Sequence, residues 1–421
     1  MNTALVIDSG WYCELAATLA QTFDPVYYWS PWQGDFPYAQ DIAPGAGLEG
    51  VTRVRDLWDV MDEADVVVFP ADGWEDLQLY LRRRGKAVWG SGRGTELEHD
   101  RLMFKDYLKV YGLPVVPFEV IIGVNKLYET LRDPEFDGWF VKQSRGFRGD
   151  METWRHRNWE GSRSWFYAVA KQLGPMGDTT VWLVEPPVEG FEGGLDDIAI
   201  DGDETSTVIV GYEIKDSCYV ATTMAHARLP RVLSDSAEAL RGWFRDTGYR
   251  NFYSTEVRID DHGTAYFIDL AARFGWPPTA SWLCNCENLG VIIEHGAHGV
   301  LVPPEFTKSF MVELNLTSPW LGHEEWLEVE MPASVRPWVK LHGVARMGDT
   351  YWVRPQRGQG ETGFVGSVVG TADTFDKARK LCIERAKLVE GHKLEYDEGD
   401  LAKAEQEIEK GNKAGINFFA H

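Results

Sequence analysis

The sequence predicts an α/β (α+β) chain that opens on a parallel sheet, and three stretches carry that reading. ALVID at 4–8 is a short strand of the buried type, followed by a Ser-Gly turn and a helix-like run over 13–22. ADVVVFPADG, from Ala64, repeats the strand and turn, with Asp72 and Gly73 just beyond the strand. KAVWGSG, from Lys86, repeats them again. Strand, glycine turn and helix are the opening of an open α/β sheet, whose ligands sit at the carboxyl ends of the strands. Gly10 stands alone where a G-x-G-x-x-G fingerprint would be needed, which argues against a dinucleotide fold.

TELEHDRLMFKDYLKVYG predicts one helix over 95–112, with Leu102, Phe104, Leu108 and Tyr111 near one face and Gly112 as its stop. Arg101 and Lys105 are i,i+4 neighbours on a different side, read as a solvated basic pair. PVVPFEVI is then a strand, NKLYETLRD a short helix, and GWFVKQS a strand ending at Lys142. RGFRGD follows, a loop whose glycines and arginines suit phosphate. TTVWLVEPPVEG is a strand broken by Pro186 and Pro187; it is either an edge strand with surface acids or a chain that stops pairing at Glu185 and leaves backbone groups for a base.

FEGGLDDIAIDG returns as a strand, and VIVGYEIKDSCYVATT predicts a further strand carrying Lys215. SAEALRGWFRDTGY is a helix closing at Gly248. EVRIDDHGTAYFIDLAARFGWP, over 256–277, reads as a β-hairpin: two alternating β-branched runs around a polar turn. Antiparallel pairing folds Glu256 and Asp269 back towards each other, so that two carboxylates can share one hard cation such as Mg²⁺. The plain alternative is an exposed hairpin with solvated acids. WLCNCENLGVIIEHGAHG continues as a helix, VKLHGVAR, TYWVRP and GFVGSVVG are short strands, and a helix follows over 374–390. An acidic and lysine-rich helix over 400–410 is expected to be a solvated surface element.

Composition narrows the function class. The chain has 421 residues, 44% hydrophobic and 25% charged, as soluble globular proteins do. No run of eighteen apolar residues occurs and the start lacks a basic, then apolar, leader; membrane insertion and secretion are not expected. Five scattered cysteines fit free thiols in a reducing cytoplasm. A net charge of −23 argues against nucleic acid and anionic membrane as partners, while leaving room for a local basic pocket that holds a phosphorylated small molecule.

The order of these pieces resembles the ATP-grasp superfamily and, within it, the phosphoribosylamine–glycine ligase family. The likeness covers nearly the whole chain in element order, with its motifs concentrated between residues 100 and 277. It implies an N-terminal open parallel domain over 1–95, an ATP-grasp domain over 96–330 with a mobile lid at about 113–183, and a small C-terminal α+β domain over 331–421 ending in a helix. HDRLMFKDYLKVYG is similar to the family's entry helix, which makes Arg101 a phosphate contact. FVKQSRGFRGD is similar to the strand with an ATP-binding lysine, Lys142, and the glycine loop at Arg148 and Gly149. LVEPPVEGFEGG resembles the adenine hinge, placing Glu185 at the base and Glu192 near the ribose. EIKDSCYVATT faintly resembles the stretch that supplies a further lysine, Lys215. The hairpin corresponds to the metal-bearing strands, with Glu256 and Asp269 as ligands, and ARFGWP to the run that makes Arg273 a catalytic or substrate-carboxylate contact.

The resemblance therefore implies ATP and Mg²⁺, with Mn²⁺ as a substitute, and an ADP-forming ligase that joins a small-molecule carboxylate to an amine through an acylphosphate, in a cytoplasmic monomer or homodimer. Two alternatives stay open: a ligase for another amino acid and amine pair, and a catalytically weak ATP-binding regulatory protein. Three positions depart from the pattern. Ala271 stands where the superfamily has asparagine, the second metal carboxylate is the shorter aspartate, and DSGWYCEL replaces a glycine- and arginine-rich loop after the first strand.

Overall fold

The structure is a computed structural model that describes residues 1–31, 42–145, 153–322, 325–356, 363–413 and 415–416. Two units separate by their internal contacts: Met1–Gly94 with Gly193–Thr255 and Ala271–His421, and Thr95–Glu192 with Glu256–Leu270.

The first unit begins with a five-stranded sheet in the order Val51–Arg53, Val26–Trp29, Ala4–Ile7, Val66–Val68, Ala87–Trp89, every pair parallel. Its strands are short apolar runs because both faces are covered, and Ala4–Ile7, Val66–Val68 and Ala87–Trp89 are buried throughout. The strand that comes first in sequence lies in the middle. Winding therefore reverses beside it, and a crevice opens at its carboxyl end, at Asp8.

The same unit holds an antiparallel succession: Phe191–Ile200, Thr207–Ile214, Cys218–Ala225, Phe310–Ser318, Gly363–Ala372 and Val339–Leu341. A smaller antiparallel sheet joins Val344–Met347, Thr350–Val353, Leu327–Glu330 and Glu390–Gly391. No helix among the described residues is long and apolar enough to cross a membrane.

The second unit is a four-stranded antiparallel sheet in the order Glu119–Ile122, Val181–Glu185, Phe140–Gln143, Thr153–Arg155. Alternation divides its side chains. Val141, Trp182 and Val184 point to one face and form a core with Leu127, Trp165, Phe166 and Val169 of two helices, Val124–Thr130 and Trp159–Leu173. Lys142 and Glu185 point to the other face.

Several elements differ from the sequence reading. The helix expected over 95–112 is broken at Asp100, whose extended backbone (φ −131°, ψ 95°) separates Glu96–His99 from Arg101–Val110. The Asp100 side chain caps the second piece by accepting from Met103 N, a bond worth about 1 kcal/mol. The buried side of that helix is Phe104, Lys105 and Leu108, while Tyr111 is exposed, so Lys105 is not a solvated residue.

Val181–Glu185 is an interior strand rather than an edge, since it pairs on both sides. The segment read as one strand with Lys215 is a hairpin, Thr207–Ile214 and Cys218–Ala225, and Lys215 is exposed on its turn. The helix over 374–390 stops at Ala386, and Glu390 belongs to a strand. The single helix expected from Trp282 is two, Thr279–Asn285 and Leu289–Ala297. The last helix, Glu398–Lys413, buries Leu401, Ala404 and Ile408, a stripe at helical spacing, so it is a packed element rather than a solvated one.

Candidate functional site

Two clusters gather most of the chemistry, one in each unit. In the second unit it forms because two strands are paired in a particular register. Lys142 lies opposite Leu183, and Glu185 is two residues further along, so both side chains share a face on a diagonal. Lys142 Nζ and Glu185 Oε1 form an ion pair there. Lys105 of the helix Arg101–Val110 brings its Nζ to 2.6 Å from the other oxygen, Oε2. All three side chains are largely withdrawn from solvent, Glu185 at 4% exposure.

Burial by itself would raise the Glu185 pKa, but the two ammonium groups, Lys142 first, outweigh it and hold the carboxyl below its ordinary value. Burial depresses the Lys105 pKa, with Glu185 opposing. Two positive groups on one carboxylate leave an excess of one positive charge in a low-dielectric setting, a suitable receptor for an anion.

One turn earlier on the helix, Arg101 donates Nη1 to Gln143 O at 2.9 Å, and its Nη2 is 3.8 Å from Asp269 Oδ2. Phe104 supports this arrangement by an edge contact with Phe267, ring centroids 4.9 Å apart. Asp100 is tied to the strand end by Ser144 Oγ at 2.9 Å and by Arg145 Nε at 2.5 Å. Burial opposes ionisation of Asp100, but these bonds and the Met103 N–H prevail and lower its pKa. Arg148 and Gly149, expected on the phosphate loop, lie outside the described residues.

The hairpin Arg250–Ile259 and Ala265–Ala271 is present, and Asp260 N donates to Thr264 O at 3.0 Å. A regular ladder from that turn sets Glu256 opposite Ile268 and Asp269 opposite Thr255. The two carboxylates then share a face only across a bulge. Asp269 is half-exposed, and Glu256 is exposed. Among the described residues, no group of three or more His, Cys, Asp or Glu side chains is placed to hold a metal alone. Two carboxylates completed by water and phosphate oxygens remain compatible with Mg²⁺. Glu192, expected near a ribose, is ion-paired with Arg258.

The first unit's cluster occupies the crevice of the parallel sheet. Asp8, fully buried, accepts from Tyr12 N at 2.5 Å, Trp11 N at 3.3 Å and Tyr28 OH at 2.6 Å, and also from Gly10 N. Gly10 has φ +91°, which a side chain would strain. Burial raises the Asp8 pKa, partly offset by those bonds. The DSGWYCEL loop is thus a carboxylate-pinned turn that launches the helix Cys13–Leu19.

Arg273 Nε is 3.8 Å from Asp72 Oδ1, and Arg273 also hydrogen-bonds Tyr12. The Tyr12 hydroxyl donates to Phe274 O, and burial pushes its pKa up to about 12. Asn251 locks the strand ends around them: its Nδ2 donates to Phe69 O at 3.2 Å and to Ser91 Oγ at 2.9 Å. Its Oδ1 accepts from Trp89 Nε1 at 2.8 Å. Ser91 Oγ in turn donates to Ala272 O at 2.7 Å. His342 stacks on Trp11 at 3.9 Å between centroids and packs on Trp276 at the same distance. Burial, then the nearby Arg354, keeps that imidazole well below its usual pKa, hence neutral.

No known protein-family profile matches the chain, and no curated protein is significantly similar to it in sequence. Solved structures are similar in fold. The phosphoribosylamine–glycine ligase of Thermotoga maritima superposes with a TM-score of 0.69 at 17% identity, covering 94% of this chain and 99% of its own. The biotin carboxylase domain of 2-oxoglutarate carboxylase from Hydrogenobacter thermophilus, solved with MgADP, ADP and bicarbonate, gives 0.65 at 14% over 94% and 91%. The L-amino acid ligase of Bacillus licheniformis gives 0.61 at 14% over 94% and 99%. The chain has the ATP-grasp fold.

The sequence reading named Lys142 and Glu185, the glutamate as a base contact rather than as the partner of two lysines, and it took Lys105 for a solvated residue. The signal was there: Arg101, Lys105 and Leu108 follow one another at i, i+4, i+7. A stripe that runs from arginine through lysine into a buried leucine faces the protein. Asp8, Tyr12, His342 and Asn251 carried no motif, and only tertiary packing brings them together.

Proposed function

We propose that this chain is an ATP-dependent carboxylate–amine ligase, ADP-forming, which makes an amide by way of an acylphosphate. The observation that carries the reading is the Lys105–Lys142–Glu185 cluster, an anion receptor with a fixed carboxylate backstop, on a fold shared with ligases. The substrate carboxylate attacks the γ-phosphorus, the bond to the β-phosphate oxygen breaks, and ADP leaves. The amine nitrogen then attacks the acyl carbon, and phosphate departs as the amine gives up a proton. Such chemistry depends on alignment and on charge neutralisation.

Lys105, Lys142 and Arg101 hold the phosphates, joined by Arg148 and Gly149 of the loop. Asp269, with Glu256 across a bulge in the hairpin, would hold the Mg²⁺, whose charge would further neutralise the phosphates. Arg273, aimed by Asp72 and Tyr12, presents its guanidinium to the substrate carboxylate or the acylphosphate. The crevice favours an amino acid or another compact amine over a phosphoribosylamine. Its first loop spends Asp8 on the turn and packs Trp11 against the buried His342, with no arginine-rich phosphate grip.

The test is ADP release from ATP and Mg²⁺ in a matrix of acids and amines. Formation of ADP that needs one acid and one amine together, with the amide found by mass spectrometry, is the expected result. If nucleotide binds tightly and no pair stimulates ADP release, the chain is an ATP-binding regulator and the ligase reading is lost.

A further inference from the structure

We infer that the first unit carries a second binding site, for a small organic anion, in a cavity beside the helix Cys13–Leu19. The cavity has a volume of about 690 Å³, within the span of small-molecule sites. One wall is the helix face at Glu14, Ala17 and Thr18, continued by Gln21 at helical spacing. Trp338, Lys340 and Tyr351 belong to the rest of the lining. The crevice cluster of Asp8 and Arg273 contributes none of it.

Lys340 decides the matter. It sits on the strand Val339–Leu341 with 8% exposure, and among the described residues its ammonium has neither an ion pair nor a hydrogen bond. A buried charge is costly unless something neutralises it. The acids at hand are otherwise engaged or withdrawn. Glu14 accepts from Arg336 Nη2 at 2.8 Å and from Leu341 N at 3.2 Å. Arg336 also donates to Val339 O at 2.7 Å and lies 4.4 Å over the Tyr351 ring. Glu49 is exposed.

Arg346, also in the lining, donates to Gly348 O at 2.9 Å and faces the solvent-exposed Asp349 at 3.4 Å. Three cations (Arg336, Lys340, Arg346) thus face two acids (Glu14, Glu49) in a protein whose net charge is −23. Ammonium and guanidinium together fit an oxyanion, and the Trp338 and Tyr351 rings suit an organic body behind it. The ligand class is a carboxylate or phosphate monoester on a compact carbon skeleton.

Succinate and phenyl phosphate are the probes, each titrated calorimetrically into the full chain at matched ionic strength; whichever binds names the headgroup. At least one is expected to bind with a Kd below about 10 mM. Lys340→Met is expected to weaken it at least about ten-fold, with Arg346→Gln weakening it less. Lys142→Ala should leave it unchanged, so the result stands or falls apart from the nucleotide reading. Circular dichroism melting checks that the variants are folded, and Lys340→Gln takes over if Lys340→Met is not. Failure of both probes with the wild-type chain, or unaltered affinity without the lysine, overturns the assignment.

Discussion

Lys142 and Glu185 meet because their strands are paired with Lys142 opposite Leu183, one diagonal step from the glutamate. Lys105 reaches the same carboxylate from a helix, at 2.6 Å. Both ammonium groups are thereby fixed on one carboxylate. Preorganised charge of this kind does not have to reorient during the reaction, and in a water-poor site it acts more strongly than at a surface.

Lys142→Ala should lower ADP formation by at least about 100-fold, the usual scale for losing one preorganised charge at a transition state. Lys105→Ala should do likewise, although on sequence alone it reads as a surface residue. The fold should survive in both, because Glu185 keeps one lysine partner. Initial-rate assays with thermal melts check this; full turnover in either variant removes the cluster from the mechanism.

Glu185→Gln tests the same cluster through stability. The folded-state pKa of Glu185 is depressed, so its ionisation favours the fold above the unfolded pKa, near 4.5. That contribution is lost as pH falls through the lower folded value. Removing the carboxylate also leaves two lysines facing each other in a buried place. The expected loss at pH 7 is about 3 kcal/mol. Urea unfolding at pH 7 and again near pH 3 should show the wild type's advantage shrinking in acid; an advantage that does not change with pH contradicts the assigned charge state.

The parts of the fold set by local pattern were legible. The parallel sheet shows in ALVID and DVVVF, and the hairpin shows in two alternating runs around Asp-Asp-His-Gly. Breaks inside elements were not. Asp100 has no glycine or proline to mark it, and it ends one helix and caps the next through a bond to Met103. Lys215 looked like a strand residue because Lys, Asp and Ser are a weak turn signal between two β-branched runs. At the site, register decided what spacing could not: Lys142 and Glu185 are far apart in sequence, and no motif states that they sit on a common face.

The metal assignment has its own test. Asp269→Asn should raise the Mg²⁺ concentration needed for half-maximal ADP release by at least about ten-fold, since a neutral amide is a weak ligand for a hard cation. Glu256→Gln should do the same if a bulge turns its carboxylate towards that of Asp269. Mg²⁺ titration of ADP release separates the two, and an unchanged requirement in Glu256→Gln assigns the metal to Asp269 without it. Ala271→Asn adds an oxygen where the superfamily's asparagine stands and should lower the Mg²⁺ requirement.

Asn251 is expected to be the costliest polar residue to remove from the first unit. Its side chain is fully buried, with its amide oxygen taken up by Trp89 and its nitrogen by Phe69 O and Ser91 Oγ. Asn251→Ala strands those groups away from water and opens a small void. The expected cost is about 3 kcal/mol, the sum of an unsatisfied polar group or two and lost packing. Ser91 also holds Ala272, next to Arg273, so the arginine should lose its aim as well. The substrate carboxylate's KM should therefore rise while the affinity for ATP stays near wild type. Denaturant melts give the first number and initial rates the second. Asn251→Asp separates the roles, because it keeps the acceptor for Trp89 but loses the donors to Phe69 and Ser91.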